Sequence, residues 1–171
     1  MGKRKLIIAD GTEEFRMALA RKLEAEYEIR LCQEGEQTLD MLASFRPDVL
    51  VLDLTMPGLD GITLLQQAAE SGLLPVVLAT TRFLNDYVLD SVSRLGVGYL
   101  MVKPCNISAT VSRLGDLTQH LRPPGDRNSP AALWGYPGKE AHWRFLFWDP
   151  GGLRREDADA ESDLPDGKRW R

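Results

Sequence analysis

The sequence predicts an α/β domain: a five-stranded parallel sheet covered by helices on both faces, followed by an irregular C-terminal tail. Three observations carry this prediction. Between residues 3 and 121, short apolar runs alternate strictly with amphipathic helical segments. The connections between them are short, and runs such as Asp48-Val49-Leu50-Val51-Leu52-Asp53 are nearly continuous in apolar character, as strands buried on both faces require.

The elements follow in order. Lys5 to Ala9 reads as the first strand, and a helix from about Thr12 to Glu26 carries Phe15, Leu19 and Leu23 on one side. Thr12 with Glu13 and Glu14 marks its start. Tyr27 to Cys32 is a second strand and Glu34 to Phe45 a second helix, stopped by Pro47 ahead of the Asp48–Asp53 strand. Ile62, Leu64, Leu65, Ala68 and Ala69 mark a third helix. Pro75 to Thr80 is the fourth strand, Asn85 to Leu95 the fourth helix, Val97 to Val102 the fifth strand and Asn106 to Leu121 the fifth helix. Five such units with short crossovers are most simply a flavodoxin-like doubly wound domain with strand order 2-1-3-4-5.

The chain has 171 residues, enough for one ordinary domain and an extension. Its formal net charge of −4 argues against a strongly basic nucleic-acid surface. Cys32 and Cys105 show neither metal-ligand spacing nor a paired framework, and read as reduced thiols. The apolar run after Lys3-Arg4-Lys5 is too short for a signal core or membrane span, so a cytoplasmic location is expected. After Leu121 the composition changes: residues 122–171 contain no Val or Ile, all four Trp, six Pro and six Gly. That segment is expected to be disordered, or to be an out-of-frame continuation, since it lacks the aliphatic periodicity of a core. His120 and His142 have no partners suggesting a base or metal site and are expected at the surface.

Three strand ends concentrate the chemistry. The first strand ends in Asp10, the third in Asp53 and the fifth in Lys103-Pro104. In an open parallel sheet, ligands gather beyond the carboxyl ends of the strands where strand order reverses, so these three groups are expected to converge. An apolar strand that delivers a carboxylate to its end makes Asp53 a candidate phosphoryl acceptor. Taken singly, each has a plainer reading: Asp53 as a turn cap, Lys103 as a solvated lysine before a proline. Their matching placement favours the chemical reading.

Through Ile8-Ala9-Asp10, Asp53 followed by Met56-Pro57-Gly58-Leu59-Asp60-Gly61, Thr80-Thr81 and Lys103-Pro104, residues 3–121 resemble the receiver domain of two-component response regulators. Within that family, the wording from Arg46 to Asp53 and from Met56 to Gly61 looks closest to the stage 0 sporulation protein A group. The resemblance implies phosphoryl transfer onto Asp53 from a sensor histidine kinase or phosphotransfer protein, with Lys103 contacting the phosphate. It implies Mg²⁺ held by Asp10, Asp53 and the backbone carbonyl of Thr55. It also implies a switch hydroxyl at the end of the fourth strand: counting from Pro75 gives Thr80, counting back from Lys103 gives Thr81, and Thr80 is chosen. Pairing of two copies through the fourth helix, fifth strand and fifth helix is the dimer the family suggests. Such a protein is a switch rather than a turnover enzyme.

The chain departs from the family pattern at several positions. Gly11 stands where a second acid is usual, which puts Mg²⁺ affinity in question; Glu13 or Glu14 could substitute, though both read more simply as first-turn helix charge. Leu100 stands where an aromatic switch partner is usual, with Tyr99 one place away, and Cys105 replaces an aromatic as a packing variant. These departures motivate an alternative, a metal-independent pseudo-receiver that serves as an interaction module. An aspartyl-phosphate phosphohydrolase would need an acid two residues after Asp53, where Thr55 stands. A truncated sporulation-type DNA-binding regulator is a further alternative, and the tail shows no helix-turn-helix pattern to support it.

Overall fold

The computed structural model describes residues 2–119 and 121. In chain order the elements are β1 (Arg4–Ala9), α1 (Glu13–Leu23), β2 (Tyr27–Cys32), α2 (Gly35–Phe45) and β3 (Val49–Asp53). They continue with α3 (Gly61–Glu70), β4 (Val76–Thr81), α4 (Asp86–Arg94), β5 (Tyr99–Val102) and α5 (Ile107–Thr118). All strands are parallel in the order β2-β1-β3-β4-β5, so the expected topology holds.

Side chains alternate across each strand and divide the core into two layers. Ile7, Leu50, Leu52, Val77 and Leu100 pack against α2, α3 and α4 through residues such as Leu42, Leu65 and Val92. Leu6, Ile8, Val49, Val51, Leu78 and Met101 face α1 and α5, meeting Leu19, Leu23 and Leu114. Burial of each such leucine contributes about 2 kcal/mol against the conformational entropy of folding. The same parity sends Asp53 and Thr80 to the α1–α5 face and Thr81 to the other.

Element ends are where sequence expectation and structure part. Helix α1 stops at Leu23 instead of Glu26, because residues 24–26 turn the chain into β2; the Glu26 amide donates to the Leu23 carbonyl. Thr12 occupies the N-cap position but its side chain makes no cap bond; its own amide donates to Asp10 Oδ1 at 2.8 Å. Strand β5 begins at Tyr99, since Gly96 adopts φ +71 and the Val97 amide closes onto the Val92 carbonyl at the end of α4. Strand β4 runs one residue past Thr80, and α5 ends at Thr118. Helix α2 ends as Pro47 demands, with Arg46 in the left-handed region at φ 52.

The expectations for residues 122–171, with His142 and the four Trp, lie outside the described residues, as does His120. Among the described residues no helix is long and apolar enough to cross a membrane.

Candidate functional site

The carboxyl ends of β1, β3 and β5 bring together the three residues that the sequence singled out. Asp10, the residue after β1, is 0% exposed, and Asp53, the last of β3, is 2% exposed. The Lys103 ammonium, at the end of β5, lies 2.7 Å from Asp10 Oδ2 and 2.6 Å from Asp53 Oδ2. One cation thus bridges two buried carboxylates, which is what makes their burial tolerable. The other oxygens are also engaged. Asp10 Oδ1 accepts the Thr12 amide, and Asp53 Oδ1 accepts both the Thr55 amide at 2.8 Å and the Thr55 hydroxyl at 2.6 Å.

The loop after Asp53 is fixed by close packing. The Gly35 amide donates to the Pro57 carbonyl, and Glu36 accepts the Leu59 amide at 3.1 Å. A Cβ on Gly35 would stand 2.0 Å from the Leu59 carbonyl oxygen, so only glycine fits there. Asp60 closes the loop as N-cap of α3, accepting the Ile62 and Thr63 amides. Asp60-Gly61 thus serves as turn and helix cap.

Two adjacent threonines end β4, and the structure treats them differently. Thr80 is in register with Asp53, is fully buried, and its hydroxyl has no hydrogen-bond partner among the described residues. Thr81 faces the other layer, where its hydroxyl donates to the Phe83 carbonyl at 2.8 Å and accepts the Phe83 amide at 3.2 Å. Thr81 therefore shapes the β4–α4 loop, while the Thr80 hydroxyl is uncommitted beside the carboxylates.

Sequence reasoning did not single out Arg16. It is nearly buried on α1 and its guanidinium donates to the backbone carbonyl of Asp10. In the sequence Arg16 reads as one more polar residue of an ordinary amphipathic helix, and nothing local marks it.

The expected rotamer partner is displaced. Leu100 is buried in the α2–α4 layer, and Tyr99 packs with the α1–α5 layer, so Tyr99 does not lie on the side facing α4. Cys105 has its thiol pushed up to about 11, chiefly by burial; the Lys103 charge lowers it, and Asp10 and Asp53 raise it. Burial likewise raises Cys32, opposed by Thr38 and Arg16. Both are protonated at neutral pH, in keeping with packing roles.

For Mg²⁺, the residues the resemblance implies are Asp10, Asp53 and the Thr55 carbonyl. Both carboxylates give one oxygen to Lys103 and the other to backbone amides. Glu13 and Glu14 are exposed and supply no bond to the site. Among the described residues no group of three or more His, Cys, Asp or Glu side chains is placed to hold a metal. A divalent ion would have to displace the ammonium or share with it the carboxylate oxygens it already holds, against a single residual negative charge, so these donors do not fit an ordinary Mg²⁺ site.

The comparisons with known proteins agree with this geometry. A family model described as the response regulator receiver domain matches residues 6–114. The response regulator MprA of Mycobacterium avium is 34% identical over 131 residues, covering 74% of this chain and 56% of MprA. The chain thus spans little more than half the length of the curated relatives it matches. These relatives do not support the expected placement nearest the sporulation regulators. The receiver domain of Francisella response regulator 1452 superposes with a TM-score of 0.63 at 21% identity, covering 70% of this chain and all of that one. The N-terminal domain of WS1339 from Wolinella succinogenes gives 0.61 at 24% identity, covering 66% and 92%. At such identities the two structures speak for the fold alone. With the family model spanning most of the described residues and the MprA match exceeding it in length, the chain belongs to the response regulator receiver domain family.

Proposed function

We propose that residues 3–121 act as a phosphoryl-accepting switch, with Asp53 taking a phosphoryl group from a sensor histidine kinase or phosphotransfer protein. The observation that carries this reading is the constellation at the strand ends: a buried carboxylate, an ammonium 2.6 Å away, and an uncommitted buried hydroxyl in register with it.

In the step itself, a carboxylate oxygen of Asp53 attacks phosphorus and the new O–P bond forms as the N–P bond of a phosphohistidine breaks. The electron pair goes to the imidazole nitrogen, which takes up a proton. Lys103 offsets charge on the transferring oxygens. The Thr80 hydroxyl is free to turn to the new phosphate, and Thr81 is not, being held by Phe83. Movement at Thr80 would reach the β4–α4 loop, where Phe83 is 68% exposed, then the first turn of α4, where Tyr87 is 66% exposed, and the face of α4, β5 and α5. A pair of copies through that face belongs to the same proposal.

Receiver domains usually bind Mg²⁺, but the donors of this chain do not fit the ion, and the groups that act are Asp53, Lys103 and Thr80. The pseudo-receiver reading is favoured by Gly11 and Leu100. Incubation with phosphoramidate, with and without Mg²⁺, followed by intact-mass measurement decides between the two. One phosphoryl adduct that disappears in Asp53→Ala is expected. A folded protein without an adduct under either condition would refute the acceptor role.

A further inference from the structure

Asp10 and Asp53 are buried neighbours at the ends of adjacent strands and need a counter-ion on the spot. In this chain it is the Lys103 ammonium, bridging one oxygen of each carboxylate, with its side chain only 12% exposed. The ring of Phe15 lies beneath it, 5.8 Å from the nitrogen to the ring centroid. The Arg16 guanidinium adds a second buried positive charge at the Asp10 carbonyl. On the other side of the balance, the residue after Asp10 is Gly11, which brings no carboxylate.

We infer that this site holds no Mg²⁺ in the millimolar range and that Lys103 is its resident cation, with Gly11 the residue that decides the matter. A hard divalent ion exchanges its water for oxygen ligands only where concentrated negative charge repays the loss. Here two carboxylates are already bridged by one ammonium, with Arg16 close by, so that charge is largely spent. A carboxylate at position 11 would restore it; a Cβ on Gly11 meets Pro57 Cδ at 3.3 Å, so Pro57 must give way by a few tenths of an ångström to admit it. The inference rests on the proposed acceptor role for one consequence, that phosphoryl transfer to Asp53 does not respond to Mg²⁺.

The test uses the full chain and two readouts. The first is direct binding of Mn²⁺, followed by electron paramagnetic resonance, with Mg²⁺ as competitor. The wild-type protein is expected to show no saturable binding up to about 10 mM, and Gly11→Asp to gain affinity by at least roughly tenfold. Lys103→Met provides a second variant: freed of the ammonium, the carboxylate pair is expected to take up Mn²⁺ even if Gly11→Asp fails to fold. Saturable submillimolar binding to wild type that disappears in Asp10→Asn would overturn the inference, as would folded Gly11→Asp and Lys103→Met proteins that both fail to gain binding. The second readout is the phosphoryl adduct in Mg²⁺ and in chelator. Equal yields support the inference, and an adduct that requires Mg²⁺ overturns it. Absence of both adduct and Mn²⁺ binding overturns the acceptor role and leaves the cation assignment standing.

Discussion

Replacing Thr80 with valine should make the domain more stable. The Thr80 hydroxyl is fully buried and has no hydrogen-bond partner among the described residues, flanked in register by Asp53 on one strand and Met101 on the other. A buried polar group left without a hydrogen bond costs about 1–3 kcal/mol, and an apolar group of the same shape removes that cost. Valine keeps the volume and the β-branch that suit a strand. Thr80→Val is therefore expected to stabilise by about 1–2 kcal/mol, raising the thermal midpoint by about 4 °C for each kcal/mol. Thr81→Val, the same chemical change one residue on, breaks the two hydrogen bonds to Phe83 and should destabilise by about 1–2 kcal/mol. Two adjacent and identical substitutions thus differ by about 3 kcal/mol with opposite signs. Urea unfolding should be followed by far-ultraviolet circular dichroism, which reports on the helices and strands directly; the described residues contain no Trp. A Thr80→Val protein less stable than wild type would refute the reasoning, since it would mean that the hydroxyl is satisfied after all. The stabilised variant should still form the Asp53 adduct but lose the response at the β4–α4 loop, the usual trade of stability against function.

Two further outcomes test the scaffold around the site. Gly35→Ala drives a Cβ to 2.0 Å from the Leu59 carbonyl, a backbone atom that cannot swing aside, and should cost at least about 2 kcal/mol in the same urea assay; an unchanged midpoint would contradict the close packing. Asp60→Ala removes the N-cap of α3 and should cost about 1 kcal/mol at pH 7. Burial pushes the Asp60 carboxyl up, but hydrogen bonds from Thr63 and Ile62 outweigh it and hold the group below its ordinary value. Its contribution is therefore present above the unfolded carboxylate range and fades as pH falls through the folded value, so wild type and variant should converge in stability below about pH 4. A gap that stays constant to pH 3 would show that the charge plays no part.

Much of the site was legible in the sequence because strand ends are legible. Asp10, Asp53 and Lys103 each close an apolar run, and a parallel sheet places such ends side by side whatever the details of packing. The boundaries of α1 and β5 were less so, since Glu24 to Glu26 and Val97-Gly98 suit a helix end or a strand start equally well by composition, and chain reversal decided them. Arg16 was missed because its role is to reach a backbone carbonyl, which no residue pattern encodes. Thr80 and Thr81 could be counted two ways because loop length varies without a composition signal.

The sequence by itself determined the strand–helix alternation, the parallel sheet and the three charged groups at the carboxyl ends of its strands, all of which follow from local periodicity and the parity of side chains along a strand. Only the tertiary structure decided how those groups are balanced. That Lys103 reaches both carboxylates, that Thr80 and not Thr81 is uncommitted, and that Tyr99 lies away from α4 depend on register between strands far apart in the chain. A one-residue shift in that register sends every side chain to the other face, and no local pattern fixes it without the packed core.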